Sequence, residues 1–572
     1  MKIAAVKLEG FRNFKSALVK FNGNSLIIGA NDVGKTNLLY AIRLLMDRTI
    51  AESELEPQES DFHIDVKGKQ SADFSITILL SEIEEEALIS RLKGYISEKG
   101  NCVIRLTAIR DGLVAKLFIG HKKDELEEID SRFYLKYIHF KYVQSSRDLG
   151  GFIRKERRNL LKFSKENRNE AQKDSDAKTE DKIKTDLGSV NSELSNLTYV
   201  SKATESLNNE LVELAHHNSG FSVGLESPSF DFTKFLDQLE LGASTGGVKV
   251  GLGGDGRNNQ ILLALWKAKS EIEHDINDEA VIYCIEEPEA HLHPHQQRKL
   301  ASYLCENLRG QVLTSTHSPH IASEFSPNNI IRLLEDSGAT HAANKGCSSC
   351  VKKAWENMGY RMSVIPAETF FSDGVLLVEG PSEVLFYKAL ANAINIDLDY
   401  LNLCILSVDG VDFNVYIKIL EALEIPWAMR TDNDVTKVPK SDPTKYRFSG
   451  LNRALRIIEE DEYEDHDTID HPSKLSKEHE EESKALNPKG IFVSKVDLEN
   501  DLASSLRDEA LSFAEADNVE DAVKYFQQRK AIRMGQFVTD HQSAFSKLSS
   551  DTLALPLIHI QKFATKRRTK NS

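Results

Sequence analysis

A glycine-rich stretch of the chain has the residue types that bind a nucleoside triphosphate. Residues 29–36 read Gly-Ala-Asn-Asp-Val-Gly-Lys-Thr, the phosphate-loop pattern G-x-x-x-x-G-K-[ST]. In such a loop backbone N–H groups surround phosphate oxygens, Lys35 pairs with the β and γ phosphates, and Thr36 offers a hydroxyl to Mg²⁺. An apolar run precedes the loop and a helical pattern follows it, as the motif requires. We therefore predict an ATP site, with further loop contacts from Gly29, Asn31 and Gly34.

A pair of acids further along the chain complements this loop. The apolar run 281–285 predicts a strand, and it ends in Glu286 and Glu287, the arrangement of a Walker B motif. We expect Glu286 to hold Mg²⁺ through water and Glu287 to polarise the hydrolytic water. A second apolar run, 312–315, leads to His317, which we expect to sense the γ-phosphate. His291, His293 and His295 have the residue type of a metal cluster, but their place after the paired acids favours a loop.

A separate set of carboxylates follows three predicted strands near the C-terminus. Carboxylates gathered at strand ends repel one another, and Mg²⁺ or Mn²⁺ relieves that repulsion. Two such ions can activate a water and stabilise the leaving 3′ oxygen when a phosphodiester is cut. We expect Lys530 to stabilise the pentavalent transition state, and the lack of a tyrosine in a nucleophile motif favours hydrolysis by water. The candidate acids are Glu379, Glu383, Asp432, Asp434, Asp497 and Glu499. Their arrangement resembles that of a Toprim domain, and this resemblance implies that Glu379, Asp432 and Asp434 are metal ligands. We expect Glu383, Asp497 and Glu499 to build a second metal position.

Length and composition set the broad class of protein. The 572 residues predict three or four domains, and the net charge of −16 does not exclude nucleic acid, because an acidic chain can present a local basic groove. No apolar run reaches the ~18 residues of a membrane span and the N-terminus does not resemble a signal peptide, so we expect a cytoplasmic protein without membrane contact. Cys347 and Cys350 have the spacing of zinc ligands, but a single pair is weak evidence for zinc.

The first half of the chain resembles a known class of ATPases. A G-F-R-N-F motif at 10–14 precedes the phosphate loop, and the paired acids and His317 follow in the expected order. Together they resemble ABC-type ATPases of the SMC, Rad50 and RecF kind. The resemblance implies that Gln144 touches Mg²⁺ and the attacking water. It also implies that residues 252–260, which lack the usual signature serine, complete the site of a partner subunit, so that nucleotide binding involves a dimer.

The second half resembles a Toprim domain, a Rossmann-like α/β fold. The motifs V-E-G-P-S-E at 378–383, T-D-N-D at 431–434 and V-D-L-E-N-D-L at 496–502 carry the resemblance. An ATPase followed by Toprim is the layout of OLD-family (overcoming lysogenization defect) nucleases, and these motifs and Lys530 further resemble nuclease subunits of Gabija anti-phage systems. The family implies metal-dependent nicking or cleavage of DNA, regulation by ATP, homodimers or larger assemblies such as tetramers, and a superfamily 1 helicase-like partner.

The predicted fold is α/β: an ABC-type ATPase with an inserted helical dimerisation arm, then the Toprim domain. We place the two ATPase parts at 1–148 and 236–345, the arm at 149–235, a linker at 346–372, Toprim at 373–540 and a tail at 541–572. Heptad-like apolar positions, Val190, Leu194 and Leu197 among them, favour dimerisation by the arm, and its basic residues leave a DNA clamp as the alternative. We expect the acidic insertion 436–488 to be solvated and mobile, and residues 566–570 to be a disordered end. The rival function is an ATP-dependent DNA-binding scaffold of the SMC or RecF type.

Overall fold

The computed structural model describes residues 1–144, 149–214, 243–245, 248–250, 261, 264–265, 280–290, 292–347, 367–409, 413–438, 445–465 and 484–571. The chain divides into two compact units, of which one joins 1–145 to 278–572 and the other is 146–277. None of the helices in the described ranges has the length and apolar content needed to cross a lipid bilayer.

Eight strands and two helices form the beginning of the larger unit. They are β1 (Lys2–Phe11), β2 (Phe14–Lys20), β3 (Ser25–Ile28), α1 (Lys35–Met46), β4 (Asp73–Ser81), α2 (Glu86–Arg91), β5 (Cys102–Ile109), β6 (Val114–Lys122), β7 (Glu125–Ile129) and β8 (Ile138–Val143). Six of the strands build an antiparallel N-terminal sheet in the order β2-β1-β4-β5-β6-β7. Its alternating residues bury one face, as period-two patterns require.

The smaller unit contains three described helices and a short hairpin. They are α3 (Leu149–Glu166), α4 (Glu170–Ser195), α5 (Thr198–Leu214), β9 (Ala243–Thr245) and β10 (Val248–Val250). The charged stretch 154–185, which has no glycine or proline, is divided between α3 and α4. Asn169 caps α4 by accepting a hydrogen bond from the Gln172 N–H, and the Gln172 side chain accepts one from the Asn169 N–H, so the chain starts a new helix there. The heptad positions Val190, Leu194 and Leu197 are exposed in this unit.

A central sheet carries the predicted nucleotide site. Its remaining elements are β11 (Ala280–Glu286), α6 (Pro294–Glu306), β12 (Gln311–Ser315), α7 (Pro319–Ala322), β13 (Ile330–Asp336) and β14 (Ala339–Ala342). The strand order is β14-β13-β3-β12-β11-β8, and all neighbours are parallel except β13 and β14. The carboxyl ends of β3, β8, β11 and β12 therefore meet at one edge, which is where ligands bind to open α/β sheets.

The C-terminal part has its own parallel sheet, in the order β16-β15-β17-β20. Helices pack on both of its faces, so each face lies in a separate apolar cluster. The elements are β15 (Gly374–Val378), α8 (Pro381–Ala393), β16 (Leu403–Ser407), α9 (Phe413–Ala422), β17 (Trp427–Thr431), β18 (Val435–Lys437), β19 (Tyr446–Phe448), α10 (Ser449–Ile457), β20 (Ile491–Val493), α11 (Leu498–Ser505), α12 (Arg507–Ala514), α13 (Val519–Gln528), α14 (Lys530–Asp540) and α15 (Leu555–Asn571).

Two segments are more ordered than the sequence predicted. Part of the acidic insertion folds as β19 and α10, because Gly450, Leu451 and Ala454 are buried against the sheet. The C-terminal segment continues as α15 to Asn571, since Leu557 and Ile560 anchor its first turns in the core of the C-terminal sheet. The predicted mobile insertion and disordered end were therefore wrong for 445–457 and for the helical residues up to 571.

The central and C-terminal sheets share apolar core within the larger unit. Leu26 and Ile28 of β3 and Ile330 of β13 belong to the same buried cluster as Val375 and Leu377 of β15. The strand that precedes the phosphate loop is thus packed into the same core as the strand that precedes Glu379. A displacement of either strand must be accommodated by the same close-packed side chains.

Candidate functional site

The phosphate loop lies between β3 and α1, as its motif predicted. Gly34 has φ 99° at the start of α1, a left-handed conformation that suits glycine, and an added Cβ would meet the Asn13 side chain. Lys35 is 7% exposed and its ammonium donates to the carbonyls of Gly29 and Ala30 at 3.0 and 2.8 Å. Burial lowers the pKa of Lys35, although acids opposite the loop favour its charged form. The lysine is therefore folded back on the loop, where phosphate oxygens can replace the two carbonyls as acceptors.

Glu286 faces this loop from the end of β11. Its Oε2 accepts a hydrogen bond from the Thr36 hydroxyl at 3.4 Å, and its Oε1 accepts one from the Tyr142 hydroxyl at 2.8 Å. Burial raises the pKa of Glu286, and the hydrogen bonds from Tyr142 and Thr36 oppose that shift. The carboxylate and the hydroxyl predicted to share Mg²⁺ are thus neighbours. Sequence reasoning missed Tyr142, because a tyrosine in a strand has no motif that marks it.

Glu287, His317 and Glu289 form the rest of this edge. Glu287 has φ 45°, which is strained for a residue with a side chain. His317 Nε2 lies 3.6 Å from Glu287 Oε1, and burial, followed by the nearby Lys35 charge, lowers the pKa of His317. The half-buried Glu289 accepts a hydrogen bond from the His317 N–H at 2.7 Å. Glu289 was not predicted to be functional, and it fixes the loop that carries the histidine.

The other predicted nucleotide contacts are placed less completely. Gln144 follows β8 directly and is exposed. The parallel register pairs Val143 with Ile285, so Gln144 leaves its strand beside Glu286. Asn31 is an exposed residue of the loop. The proposed signature loop at 252–260 and His291 lie outside the described residues, as does Cys350 of the cysteine pair.

The three C-terminal acidic motifs converge on one edge of the C-terminal sheet. Glu379 follows β15, Asp432 follows β17, and Asp497 lies four residues after β20. Because these strands are parallel neighbours, their carboxyl ends lie side by side. Glu379 Oε1 accepts hydrogen bonds from the Asp432 N–H at 2.9 Å and from the Thr431 hydroxyl at 2.6 Å. The first two motifs are therefore in direct contact.

Burial and mutual repulsion perturb the acids of this edge. Burial, together with the charge of Glu379, raises the pKa of Asp432 to about 8. Burial also raises the pKa of Glu383, to about 7, with Glu499 and Glu379 adding repulsion. Asp434 is more exposed, and burial and then Glu379 raise its pKa. Each of these groups gains from a nearby positive charge.

The third motif supplies two carboxylates, Asp497 and Glu499, with different surroundings. Glu499 is 1% exposed and neither of its oxygens accepts a hydrogen bond, although Lys530 Nζ lies 3.5 Å from Oε2. Burial lowers the pKa of Lys530, but Glu499 and Asp432 outweigh that effect and raise it. Asp497 instead caps α11 by accepting from the Asn500 N–H, and Gln527 donates to its other oxygen, both at 2.7 Å. Asp497 thus already has a structural role.

Hard oxygen donors of this kind fit Mg²⁺ or Mn²⁺. The buried oxygens of Glu499 are the strongest sign of such a ligand, because they accept no hydrogen bond and a buried carboxylate compensated only by the Lys530 charge at 3.5 Å remains costly. Within the described ranges, however, no three acidic, histidine or cysteine side chains are close enough to hold one ion. When bound, divalent cations would activate water and neutralise a phosphodiester, and Glu379, Asp432, Asp434, Glu383 and Glu499 are the residues that would hold them.

Arg453 is the main residue that sequence reasoning missed. It belongs to α10, within the acidic insertion, and its guanidinium donates to Glu379, Thr431 and Asp434. Gly450 permits this approach, since an added Cβ would lie 1.9 Å from the Asp432 carbonyl oxygen. No motif marks Arg453. Only the fold of a segment outside the motifs brings it to the acids.

Comparison with protein-family models gives two matches. Residues 1–322 match the model described as an AAA ATPase domain. Residues 370–434 match the model described as the TOPRIM domain of overcoming lysogenization defect protein-like proteins. The first match begins before the phosphate loop and ends after His317, and the second contains Glu379, Asp432 and Asp434. Each candidate site therefore lies within the corresponding family match, except for the third acidic motif and Lys530.

The chain is also similar to three curated proteins along their sequences. The chain is 27% identical over 94% of its length to "Endonuclease GajA" of Bacillus cereus strain VD045, covering 95% of that protein. "OLD nuclease" of Thermus scotoductus is 27% identical over 40% of this chain and 45% of that protein. "Old nuclease" of Escherichia phage P2 is 23% identical over 72% of this chain and 73% of that protein. This chain belongs to the AAA ATPase domain family, and it carries a TOPRIM domain of the overcoming lysogenization defect type after its ATPase domain.

Proposed function

We propose that this protein is a DNA endonuclease that hydrolyses phosphodiester bonds with divalent metal ions and is regulated by ATP. The observation that carries the proposal is the meeting of Glu379, Asp432 and Glu499 at one sheet edge, with Lys530 beside Glu499. The names of the relatives, endonuclease and OLD nuclease, support the same reaction class.

The residues of this edge have distinct roles in the proposal. Glu379, Asp432, Asp434, Glu383 and Glu499 bind the cations, and Asp497 orients the helix that carries Glu499. Lys530 is the charged donor on the Glu499 side of the edge. Its raised pKa keeps it protonated at neutral pH, so it can stabilise negative charge that develops on a phosphate.

ATP control is proposed from the connection between the two sheets. Lys35, Thr36, Glu286, Glu287 and His317 bind and sense the triphosphate. β3 leads into the loop, and its side chains share a core with β15, which leads into Glu379. Closure of the loop on phosphate therefore changes the packing around the strand that presents the nuclease acid.

The experiment is cleavage of supercoiled and linear plasmid DNA with Mg²⁺ or Mn²⁺, with and without ATP. Glu379→Gln removes a predicted ligand charge and should lower the cleavage rate at least about 100-fold. Glu460→Gln is the matched control, because Glu460 is a surface acid paired with Lys489 in the same C-terminal part. Equal cleavage by wild type and Glu379→Gln would remove the basis for the proposed site.

The same assay tests ATP control when it is repeated with Lys35→Ala. The wild-type cleavage rate should change with ATP concentration, whereas the variant's should not. An identical ATP response in both proteins contradicts regulation through this loop. If the wild type cuts DNA at a rate that does not respond to ATP, the nuclease assignment stands and only its regulation by ATP is rejected.

An ATP-dependent DNA-binding scaffold is the alternative, and one observation favours it. Among the described residues, no three acidic side chains lie close enough together to hold one metal ion. DNA binding without cutting under every metal and nucleotide condition would support the scaffold. Metal-dependent cutting that Glu379→Gln abolishes would reject it.

We further propose assembly and a biological role from the resemblance to Gabija nuclease subunits. The proposed assembly is a homodimer or tetramer with a superfamily 1 helicase-like partner, and the proposed role is defence against phage. Light scattering measures the oligomeric state, and plaque counts on cells that express the wild type or Glu379→Gln measure phage defence. Equal plaque numbers for these two strains, at equal expression, would contradict a defence role of the nuclease.

A further inference from the structure

Arg453 occupies one oxygen each of Glu379 and Asp434, two of the acids that the proposed function assigns to metal. One of its terminal nitrogens donates to Glu379 Oε1 and to the Thr431 hydroxyl, and the other donates to Asp434 Oδ2 at 3.3 Å. The arginine side chain is 27% exposed, so these ion pairs are partly shielded from solvent. A guanidinium with two nitrogens on two carboxylates is a charge-assisted clamp.

Glu379 Oε1 has no remaining capacity for a cation in this arrangement. Besides Arg453 it accepts hydrogen bonds from the Thr431 hydroxyl at 2.6 Å and the Asp432 N–H at 2.9 Å. A carboxylate oxygen has about two lone pairs, and three donors already point at this one. A metal ion can bind this oxygen only after Arg453 and one further donor have left, and the Thr431 hydroxyl can rotate away while the backbone N–H of Asp432 cannot.

Contacts made by neighbouring residues of α10 fix the position of Arg453. The Ser449 N–H donates to the Asp434 carbonyl at 2.8 Å, which attaches the start of α10 to the acidic loop. Asn452 forms two hydrogen bonds with the backbone of Tyr463, which hold the far end of the segment. With Gly450 against Asp432, these contacts place the helix so that the arginine reaches both acids.

We propose that Arg453 is an internal counter-ion that holds Glu379 and Asp434 in a metal-free arrangement and must be displaced before a divalent cation binds. It relieves the same carboxylate repulsion that a metal relieves, with half the charge. The arginine therefore sets the metal concentration at which the site loads. This inference rests on the metal binding in the proposed function.

The test is Mn²⁺ binding by isothermal titration calorimetry on the full chain, without DNA or nucleotide. Arg453→Gln should lower the Mn²⁺ dissociation constant about tenfold, since a hydrogen bond to a charged group corresponds to at least that factor. Arg456→Gln is the matched control. Arg456 lies one turn further along α10 and pairs with Glu462 rather than with the acidic edge, so its removal should leave the dissociation constant unchanged.

A second variant keeps the inference falsifiable if Arg453→Gln does not fold, as judged by circular dichroism. Arg453→Lys keeps the charge but loses the fork, so its affinity should lie between wild type and Arg453→Gln. Unchanged or weaker Mn²⁺ binding by these variants, or an equal gain in Arg456→Gln, overturns the inference. If wild type cuts plasmid in Mn²⁺ while the variants bind Mn²⁺ as it does, only the inference fails. If wild type neither binds Mn²⁺ nor cuts, the proposed function fails with it.

Discussion

Replacement of Arg332 by methionine should weaken the connection between the central and C-terminal sheets. Arg332 lies on β13, beside Ile28 of β3, and is 3% exposed. Its guanidinium donates to the carbonyls of Leu423 and Glu424, each at 3.1 Å, and of Ser372 at 2.7 Å. One buried side chain of the central sheet therefore satisfies three carbonyls of the C-terminal part.

The magnitude follows from these three hydrogen bonds. Methionine keeps most of the apolar packing but leaves the three carbonyls without this donor, and the bonds to Leu423 and Ser372 are buried. Each unsatisfied buried group costs roughly 1–3 kcal/mol, and shared relaxation reduces the sum, so we expect a loss of about 4 kcal/mol. The melting temperature should fall by at least about 5 °C.

Thermal unfolding and hydrogen exchange together measure this loss. Because a chain of several domains has no single two-state free energy, the comparison uses the melting temperature and the exchange of local amides. Exchange should rise at residues 372–375 and 423–425. Arg110→Met is the control, since Arg110 is exposed and its side chain bonds to Gln70. If Arg332→Met melts within about 1 °C of that control and its exchange is unchanged, the reasoning is wrong.

Three further predictions concern the two sites and their connection. Lys35→Ala should weaken binding of a fluorescent ATP analogue at least about 100-fold, because two charge-assisted bonds to phosphate are lost, and an unchanged affinity would contradict the loop assignment. Gly450→Ala should destabilise the protein by about 3 kcal/mol through its clash with a backbone carbonyl. The control Gly188→Ala, with open space around the new methyl on α4, should be neutral or stabilising in the same melting assay. Glu424→Gln should lower the melting temperature at pH 7. The hydrogen bond from His341 lowers the pKa of Glu424 below its ordinary value of 4.5. The stabilisation by the ionised carboxylate is therefore present above pH 4.5 and should be lost as pH falls through the lowered pKa. A difference in melting temperature between wild type and Glu424→Gln that persists below that pKa would refute the prediction.

Local sequence patterns were sufficient for the elements that carry the motifs. An apolar run followed by a glycine-rich loop or by acids describes a buried parallel strand that ends at a ligand edge, and this geometry depends on few residues. The strand before Lys35, the strand before Glu286 and the strand before Glu379 are therefore where the sequence predicted them.

Helix limits and the ordered state of polar segments were not determined locally. The prediction of a helical arm did not place the boundary at Asn169, where a capping box starts α4 within a charged stretch. The insertion at 445–457 reads as solvated because acids dominate its neighbourhood. It folds because a few buried residues, Leu451 and Ala454 among them, find a partner surface that is distant in sequence.

The sequence by itself determined the chemistry: a phosphate loop with its paired acids, and three carboxylate motifs that follow strands. Those features depend on residue type and on neighbours within a few positions. The tertiary structure alone decided which groups face these residues, namely Tyr142 on Glu286, Arg332 between the sheets and Arg453 on Glu379. These contacts join residues that are 40 to 144 positions apart. Side chains that meet across such separations are chosen by packing and electrostatics in the folded state, and no short sequence pattern records them.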